Sequence, residues 1–400
     1  MAKRNDTPEN SHDLRRQVRE IADSLAIAFI LAMVIRHFVL EVFKIPTKSM
    51  EPTLLGDPWT GDKILVNKFA YDFRSPRRWE IGVFKYPEDT SKNYIKRIVG
   101  LPGERVRVRD GDLYINGQIA RKPWRVQAAL WRLRPHSGEA EFWEPSDTSR
   151  WDLADGDFLV ACENAPEPQV LEYRREILAY EERDFRGRGF HRMTTGDIMV
   201  QFRLEPQARA GYVSVEIETL PAVGVNNDDR LDYWKVVFPL DESPCRPQVH
   251  RLGKLVHAAK PCPIQQGRAT LIQVCTVDRT IIVRADGREL LRAPFEPSRG
   301  VFEWAGFSGH TQVRLGCKQG RARFLDTGVY VDLHYTDSPS RRAVHEVYQL
   351  GDDEFFVLGD NSCNSNDSRG WRRRGGVPRD YLVGEAFLVL WPLGRMKLVR

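Results

Sequence analysis

Residues Phe43 to Leu54 read Phe-Lys-Ile-Pro-Thr-Lys-Ser-Met-Glu-Pro-Thr-Leu, and the interpretation of the whole chain starts from this stretch. Ser49 lies between Pro46 and Pro52. Because proline fixes its own φ angle and has no N–H donor, this backbone can form neither a long helix nor a regular inner strand. The pattern predicts a serine on a stiff, irregular loop. That setting suits a nucleophile, but it also suits an ordinary turn bounded by prolines.

Two later stretches bear on that choice. Tyr94 to Val106 reads Tyr-Ile-Lys-Arg-Ile-Val-Gly-Leu-Pro-Gly-Glu-Arg-Val, and Gly359 to Trp371 reads Gly-Asp-Asn-Ser-Cys-Asn-Ser-Asn-Asp-Ser-Arg-Gly-Trp. In the first of them, Lys96 is flanked by apolar residues, which would desolvate its ammonium group and lower its pKa. A serine hydroxyl needs a base beside it, and such a lysine can serve. Arg97 cannot, because a guanidinium group does not lose its proton in proteins.

Together, these three stretches resemble bacterial type I signal peptidase, a membrane-anchored protease that cleaves with a serine and a lysine. The resemblance covers about residues 20–120 and 347–395, in the order that the family has them. It implies that Ser49 is the nucleophile and that Lys96 is its base. The middle of the chain lies outside the resemblance.

The resemblance also implies which residues support the dyad. Thr47 falls where the family has a small hydroxyl residue whose side chain, with the Ser49 backbone N–H, forms the oxyanion hole. Ser365 matches a serine that hydrogen-bonds and orients the base amine. Lys48 departs from the family, in which glycine or another small residue is common at that position. Its long side chain is expected to point to solvent.

Asp367 and Arg369 match an ion pair that holds the late loop, Gly359 to Trp371, against the site, and Asp62 is expected to support the same region. The family accepts small side chains one and three residues before the cut, in shallow apolar pockets. The residues implied to line these pockets are Ile45, Pro46, Met50, Leu54, Tyr94 and Ile95. A substrate in extended form would add as a strand beside the Lys96 segment.

A basic N-terminal flank precedes the apolar run from Ser24 to Leu40, which Arg36 and His37 interrupt near its end. This pattern predicts a transmembrane helix over residues 21–41, with residues 1–20 in the cytoplasm. Two alternatives remain open. The first is a cleavable signal peptide, but no Ala-x-Ala-like cleavage site follows the apolar run, and cleavage there would separate the anchor from Ser49. A buried helix of a soluble protein is the other alternative.

Composition limits the other possibilities. The chain has 400 residues and a formal charge of +5, which gives no reason to predict nucleic acid as a partner. Its nine histidines form no HxxxH or HExxH pair and its six cysteines form no CxxC motif, so we predict no metal site and no cofactor. An even cysteine count permits disulfides without revealing the pairing. Cys245 and Cys262 could close a short surface loop.

Short β-branched runs bounded by turn residues predict a mainly β, antiparallel fold. Residues 42–122 and 344–400 are expected to form one discontinuous catalytic domain. Residues 123–343 show regularly spaced short strands and are expected to form an inserted, jelly-roll-like β-sandwich. Since long surface insertions are tolerated, this insertion is expected to be dispensable for bond cleavage.

The predicted function is cleavage of signal peptides from exported preproteins by a single-pass enzyme of a bacterial cytoplasmic membrane, with the catalytic domain on the outer, periplasmic face. Signal peptides and the lipid bilayer are the expected partners, and the secretion translocon is a candidate. One alternative is a repressor-type Ser-Lys autoprotease, which the apolar segment and the lack of a helix-turn-helix argue against. The other is a membrane-anchored β-sandwich binding protein with an inactive protease half, although every catalytic residue type is present.

Overall fold

A computed structural model describes residues 9–34, 39–109, 111–183, 190–220, 232–296, 310–336 and 342–399. The structure is mainly β, with 48% strand and 13% helix. Neighbouring strands in its sheets pair antiparallel, as the register of β-pairs such as Leu40 with Asn67 and Lys63 with Trp391 illustrates. The predicted mainly β, antiparallel class is confirmed.

The helices of the described residues are α1 (Glu9–Val34), α2 (Ala70–Phe73) and α3 (Trp124–Leu130). The predicted helix over residues 21–41 therefore has the wrong bounds. Its residues 35–38 lie outside the described part, and from Leu40 to Lys44 the chain is a strand paired with Lys63–Asn67. Within the described residues, none of the helices has both the length and the apolar character needed to cross a bilayer.

The strands fall into three groups along the chain. Before α3 come β1 (Leu40–Lys44), β2 (Lys63–Asn67), β3 (Ile81–Tyr86), β4 (Asp89–Gly100), β5 (Arg105–Arg109), β6 (Asp112–Ile115) and β7 (Gln118–Ile119). After α3 come β8 (Arg132–Leu133), β9 (Trp143–Pro145), β10 (Trp151–Ala154), β11 (Asp157–Ala161), β12 (Gln169–Tyr173), β13 (Leu178–Arg183), β14 (Phe190–Thr194), β15 (Ile198–Pro206), β16 (Tyr212–Leu220), β17 (Tyr233–Pro239), β18 (Gln248–Arg251), β19 (Lys254–Ala258), β20 (Thr270–Val277), β21 (Thr280–Ala285), β22 (Arg288–Pro294), β23 (His310–Lys318) and β24 (Arg321–Val331). The last group is β25 (Tyr348–Gln349), β26 (Glu354–Leu358), β27 (Val377–Pro378), β28 (Leu382–Trp391) and β29 (Lys397–Leu398).

The first and last groups share two sheets. Sheet 1 has the order β1-β2-β28-β3-β4-β26-β27, with β29 beside β28, and sheet 2 has the order β25-β5-β6-β7. β28 therefore lies between β2 and β3, although more than 300 residues of chain separate β28 from β2. Strands from the two ends of the chain interleave, so neither end can complete sheet 1 alone.

The middle group forms two more sheets and the β13–β14 hairpin. Sheet 3 has the order β10-β11-β24-β15-β20-β21-β22, with β8 beside β24, and sheet 4 has the order β19-β18-β17-β16-β23-β12-β9. One buried cluster takes Phe202 and Phe324 from sheet 3 and Val215 and Leu315 from sheet 4. Alternate residues of these strands are buried, because successive side chains of a strand point to opposite faces.

A second buried cluster joins both ends of the middle segment to sheet 2. Leu130 of α3 and Leu333 and Tyr335, which follow β24, pack in the same cluster as Val106 and Leu113 of sheet 2. By packing, these ends of the predicted 123–343 segment lie with sheet 2 rather than in the core between sheets 3 and 4.

Candidate active site

Ser49 and Lys96 meet in the structure. Ser49 lies in a short 3₁₀ turn, Lys48–Met50, which follows Thr47 in an extended conformation. Lys96 Nζ is 2.7 Å from Ser49 Oγ and 2.9 Å from the carbonyl oxygen of Ile95. Only 6% of Ser49 and 4% of Lys96 is exposed. At this separation, a neutral amine can accept the hydroxyl proton directly.

The position of Lys96 in sheet 1 gives its amine an unusual environment. It lies in β4 opposite Gly82 of β3, at the start of the buried half of β4. Burial, which disfavours the charged form, lowers the pKa of Lys96 to about 8, although the negative charges of Asp367 and Asp360 act in the opposite direction. A base with this pKa is partly neutral at mildly alkaline pH.

The residues on either side of Ser49 differ in their exposure and contacts. Thr47 Oγ1 is 3.4 Å from Ser49 Oγ, so a hydroxyl donor does lie next to the nucleophile. Lys48 is exposed, in agreement with the expectation that its side chain avoids the site. The carbonyl oxygen of Ser49 accepts a hydrogen bond of 3.1 Å from the backbone N–H of Asn361. The late loop therefore contacts the nucleophile segment directly.

Ser365 is buried, but the expected hydrogen bond from the Lys96 amine to its Oγ is not formed in this structure. Gly359 separates the two serines: a Cβ atom there would lie 2.2 Å from Ser365 Oγ and 2.5 Å from the Ser49 carbonyl oxygen. Position 359 therefore needs a glycine, because any side chain would push these groups apart.

Asp367 and Arg369 form the expected ion pair, with both side chains buried. Arg369 Nε is 2.9 Å from Asp367 Oδ1 and Arg369 Nη2 is 2.8 Å from Asp367 Oδ2, which also accepts the Gly359 N–H. Burial acts to raise the pKa of Asp367, but the charge and hydrogen bonds of Arg369 hold it below its ordinary value. The pair fixes the loop that contacts Ser49.

Arg369 also binds the middle segment of the chain. Its Nη1 donates to the carbonyl oxygen of Thr336 at 2.6 Å and to Thr336 Oγ1 at 3.0 Å. The Thr336 N–H in turn donates to Ser362 Oγ at 2.8 Å. One support of the late loop therefore comes from a segment that was expected to be dispensable for cleavage. Nothing in the sequence near Thr336 signals this contact.

A second buried ion pair, between Arg97 and Asp360, was missed by the sequence-based reasoning. Arg97 Nε is 2.8 Å from Asp360 Oδ1 and Arg97 Nη2 is 2.7 Å from Asp360 Oδ2, with neither side chain exposed. Thr53 Oγ1 donates to the same carboxylate. An arginine in an apolar strand was the available signal, because a buried guanidinium requires a carboxylate partner.

Asp62 supports the loop that follows the nucleophile. Its carboxylate binds Arg395 through two contacts of 3.0 Å and accepts the backbone N–H of Leu55 at 2.8 Å. Asp62 thereby ties residues 55–62 to the segment after β28. Sequence patterns did not identify Arg395 as its partner, because the two residues are distant along the chain.

The residues predicted to contact substrate form two groups, one buried and one at least partly exposed to solvent. Ile45, Met50 and Leu54 are buried in a core cluster of sheet 1, so they lie beneath the surface rather than lining open pockets. Pro46 is exposed, and Tyr94 and Ile95 are half-buried beside Lys96. These three residues offer the contact surface next to the dyad.

The backbone of β4 is open next to Lys96. One edge of β4 pairs with β3 along Asn93 to Arg97. On the other edge, among the described strands, β26 pairs only with residues Arg97, Ile98 and Gly100. The preceding residues of β4 therefore present an edge to which an extended peptide can add, close to the Ser49 hydroxyl.

A separate group of carboxylates is largely buried. Ligand atoms of Asp112, Asp197 and Asp278 lie within 4.8 Å of one another. Lys122 Nζ lies 2.6 Å from Asp278 and 2.9 Å from Asp332. Burial and the neighbouring Asp278 charge raise the pKa of Asp112 to about 8. Lys122 supplies a positive charge beside these carboxylates. The absence of a metal site stays a prediction.

Sequence comparisons give several relatives. Signal peptidase I of Pseudomonas aeruginosa is 42% identical over 113 residues, which cover 25% of this chain and 38% of that protein. The probable signal peptidase I-2 of a Synechocystis species is 44% identical over 106 residues, covering 25% of this chain and 46% of that protein. The chain thus spans less than half the length of each of these two relatives.

Among solved structures, a Bacillus subtilis protein of unknown function with a galectin-like fold matches with a TM-score of 0.35 and 7% identity, covering 51% of this chain and all of that one. A likeness at that level supports no conclusion. The family model described as signal peptidase, peptidase S26, matches residues 18–167 and 321–391, more than half of the chain. The matched residues include Ser49, Lys96 and the whole late loop, and they show that the chain belongs to the signal peptidase family, peptidase S26.

Proposed function

We propose that the chain is a membrane-bound serine endopeptidase that removes signal peptides from exported preproteins through a Ser-Lys dyad. The observation that carries this proposal is the 2.7 Å contact between Lys96 Nζ and Ser49 Oγ in a buried setting that lowers the lysine pKa. Perturbed pKa values of this kind are typical of catalytic bases. Membership of the signal peptidase family supports the substrate class.

The geometry suggests the order of steps. Neutral Lys96 takes the Ser49 proton as Oγ attacks the scissile carbonyl carbon. The Ser49 N–H and the Thr47 hydroxyl would stabilise the negative oxygen that forms. The Lys96 ammonium then gives its proton to the leaving amine, which leaves an acyl group on Ser49. A water molecule, deprotonated by Lys96, attacks this ester, and the proton returns to Ser49.

We propose that the substrate binds along the open edge of β4, with Pro46, Tyr94 and Ile95 beside its side chains. Main-chain hydrogen bonds to β4 would hold the peptide extended and place its carbonyl group near Ser49. Because Ile45, Met50 and Leu54 fill the space below, only small side chains could enter next to the scissile bond. This arrangement fits the predicted preference for small side chains one and three residues before the cut.

The membrane-bound state is supported by exposed apolar side chains. In α1 they include Leu25, Ile27 and Phe29, and in sheet 1 they include Trp391 of β28 and Leu398 of β29. Apolar patches left exposed mark contact with lipid or protein. We propose that the apolar run from Ser24 to Leu40 anchors the chain in the membrane with residues 1–20 in the cytoplasm, and that the dyad works at the outer face of the bacterial cytoplasmic membrane, near the secretion translocon.

We also infer that residues 123–343 largely form an inserted β-sandwich made of sheets 3 and 4. The cluster that takes side chains from both sheets supports this assignment, since two sheets sharing one buried core is the arrangement of a sandwich. Limited proteolysis that releases a stable fragment containing β9 to β24 would support it.

The test of the function is cleavage of a preprotein by the purified chain in detergent. We expect a single cut after a small residue and no cut by Ser49→Ala, because among the described residues Lys96 Nζ hydrogen-bonds to no other hydroxyl group. The products are to be identified by N-terminal sequencing and mass spectrometry. A folded wild-type chain that leaves every tested preprotein intact would favour the alternative of a binding protein with an inactive protease half.

We expect cleavage to depend on pH as a lysine base requires. Since the pKa of Lys96 is lowered to about 8, kcat/KM should rise with pH and level off above that value. Below it, the rate should fall about tenfold for each pH unit. The measurement is kcat/KM for a short peptide, with thermal melts at each pH as a control for unfolding. A flat profile from mildly acidic to alkaline pH would exclude Lys96 as the base.

A further inference from the structure

Four of the six cysteines approach each other in two pairs. In the first pair, Cys162 Sγ is 2.8 Å from Cys317 Sγ, with both residues buried. Cys162 directly follows β11 of sheet 3, and Cys317 lies in β23 of sheet 4. The two sulfur atoms therefore meet across the core that sheets 3 and 4 share, closer than two unbonded sulfur atoms normally lie.

The second pair is Cys245 and Cys262. These residues lie opposite each other in an isolated antiparallel bridge, and the Cys262 N–H donates to the Cys245 carbonyl oxygen at 2.9 Å. Their thiols are within hydrogen-bond contact. Residues directly opposite in an antiparallel pair have Cα atoms about 4.5–5.5 Å apart, which is within the range of disulfide-bonded cysteines. Both backbones are therefore already placed for a bond.

We propose that this protein carries two disulfides, Cys162–Cys317 and Cys245–Cys262. Each forms by thiol–disulfide exchange: the two thiols lose two hydrogens as their S–S bond forms, and the disulfide of an oxidant is reduced to two thiols. The oxidant is a protein or small-molecule disulfide of an oxidising compartment. The proposal rests on the proposed function only for that location.

The first of these bonds would join parts of the chain that are far apart in sequence. Cys162 and Cys317 are separated by 155 positions, so their cross-link restricts the unfolded chain strongly. It would also fix sheet 3 to sheet 4. The second bond would join the segment between β17 and β18 to the segment between β19 and β20.

The experiment uses the full chain purified from bacterial membranes in detergent. The sample is denatured in an alkylating agent without reductant, digested and analysed by mass spectrometry. We expect two cross-linked peptide pairs, Cys162 with Cys317 and Cys245 with Cys262, each lighter by two hydrogens than the separate peptides. Cys275, which packs with Met199 and Ile282, is expected to be alkylated without reductant. Reductant should abolish both cross-links and lower the thermal midpoint by about 5 °C or more.

The matched variants separate the two bonds. Cys162→Ser with Cys317→Ser should remove one cross-link and most of the effect of reductant on the midpoint, whereas Cys275→Ser should keep both cross-links. If all cysteines of the sample are found as free thiols, the sample is then incubated with oxidised glutathione. Failure to form these pairs even then, or a different pairing, overturns the proposal. Preprotein cleavage measured in the same sample reports on the function separately, since no cysteine of either pair touches Ser49 or Lys96.

Discussion

Lys96→Arg is expected to lower kcat/KM for a signal-peptide substrate by about 10³-fold, although it keeps a positive charge at that position. The reason is that the site must contain a group able to accept the proton of Ser49. Ser49 Oγ can lose its proton only to a neutral partner within hydrogen-bond reach, and Lys96 Nζ at 2.7 Å is that partner. A guanidinium group does not become neutral in a protein, so the loss should persist at high pH.

Two controls make this result specific. Lys96→Met has a similar length and no charge, and a buried position accepts it readily, so its melting temperature should not fall while its activity is lost. Lys85→Arg makes the same chemical change at an exposed position in the neighbouring strand β3 and should leave the rate unchanged. If Lys96→Arg retained a tenth of the wild-type rate, Lys96 could not be the base.

Replacing residues 124–342 with a short Gly-Ser linker is expected to lower cleavage by at least about 100-fold, since small displacements of catalytic groups have effects of that size. This outcome is the opposite of the dispensable insertion expected from the sequence. The deletion removes Leu130, Leu333 and Tyr335 from the cluster beneath sheet 2. It also removes Thr336, which binds Arg369 and Ser362 of the late loop.

A shorter excision distinguishes the ends of the segment from its middle. Arg132 and Val331 lie opposite each other in the β8–β24 pair, so a tight turn can join them once residues 133–330 are removed. This variant keeps α3 and Thr336, and we expect it to fold and to cleave a short peptide at a rate within about tenfold of the full chain. Equal, full activity of both deletions would show that Thr336 does not support the loop.

Whether a contact of the site could be predicted from the sequence depended on whether its two residues lie in recognisable sequence patterns or are paired only by the fold. Ser49, Lys96, Asp367 and Arg369 each lie in a short stretch with a recognisable pattern, and the structure brings Ser49 to Lys96 and Asp367 to Arg369. The pairing of Arg97 with Asp360 spans 263 positions and has no local pattern. Such partners are decided by which strands become neighbours, and a single sequence gives little information about that.

In the fold too, local features could be predicted and features that depend on tertiary contacts could not. Local alternation of apolar residues and turn residues was sufficient for the mainly β class. The predicted helix extended to residue 41 because the apolar run reaches Leu40, but Leu40 and Glu41 pair with β2 as the first residues of a strand. The burial of Met50 and Leu54 was missed for a related reason, since a hydrophobic residue near a site can serve the core instead.

Under the proposed function, the interleaved order of sheet 1 also sets when during synthesis this protein can begin to cleave its substrate. Ser49 leaves the ribosome early, but the Asp360 carboxylate that holds Arg97 follows more than 300 residues later. At elongation rates of about 5–20 residues per second this delay is about half a minute. During that time β28 is missing from between β2 and β3, so the nascent chain carries its nucleophile without a finished site. The proposed protease would therefore be unable to cleave neighbouring nascent chains before its own synthesis is nearly complete.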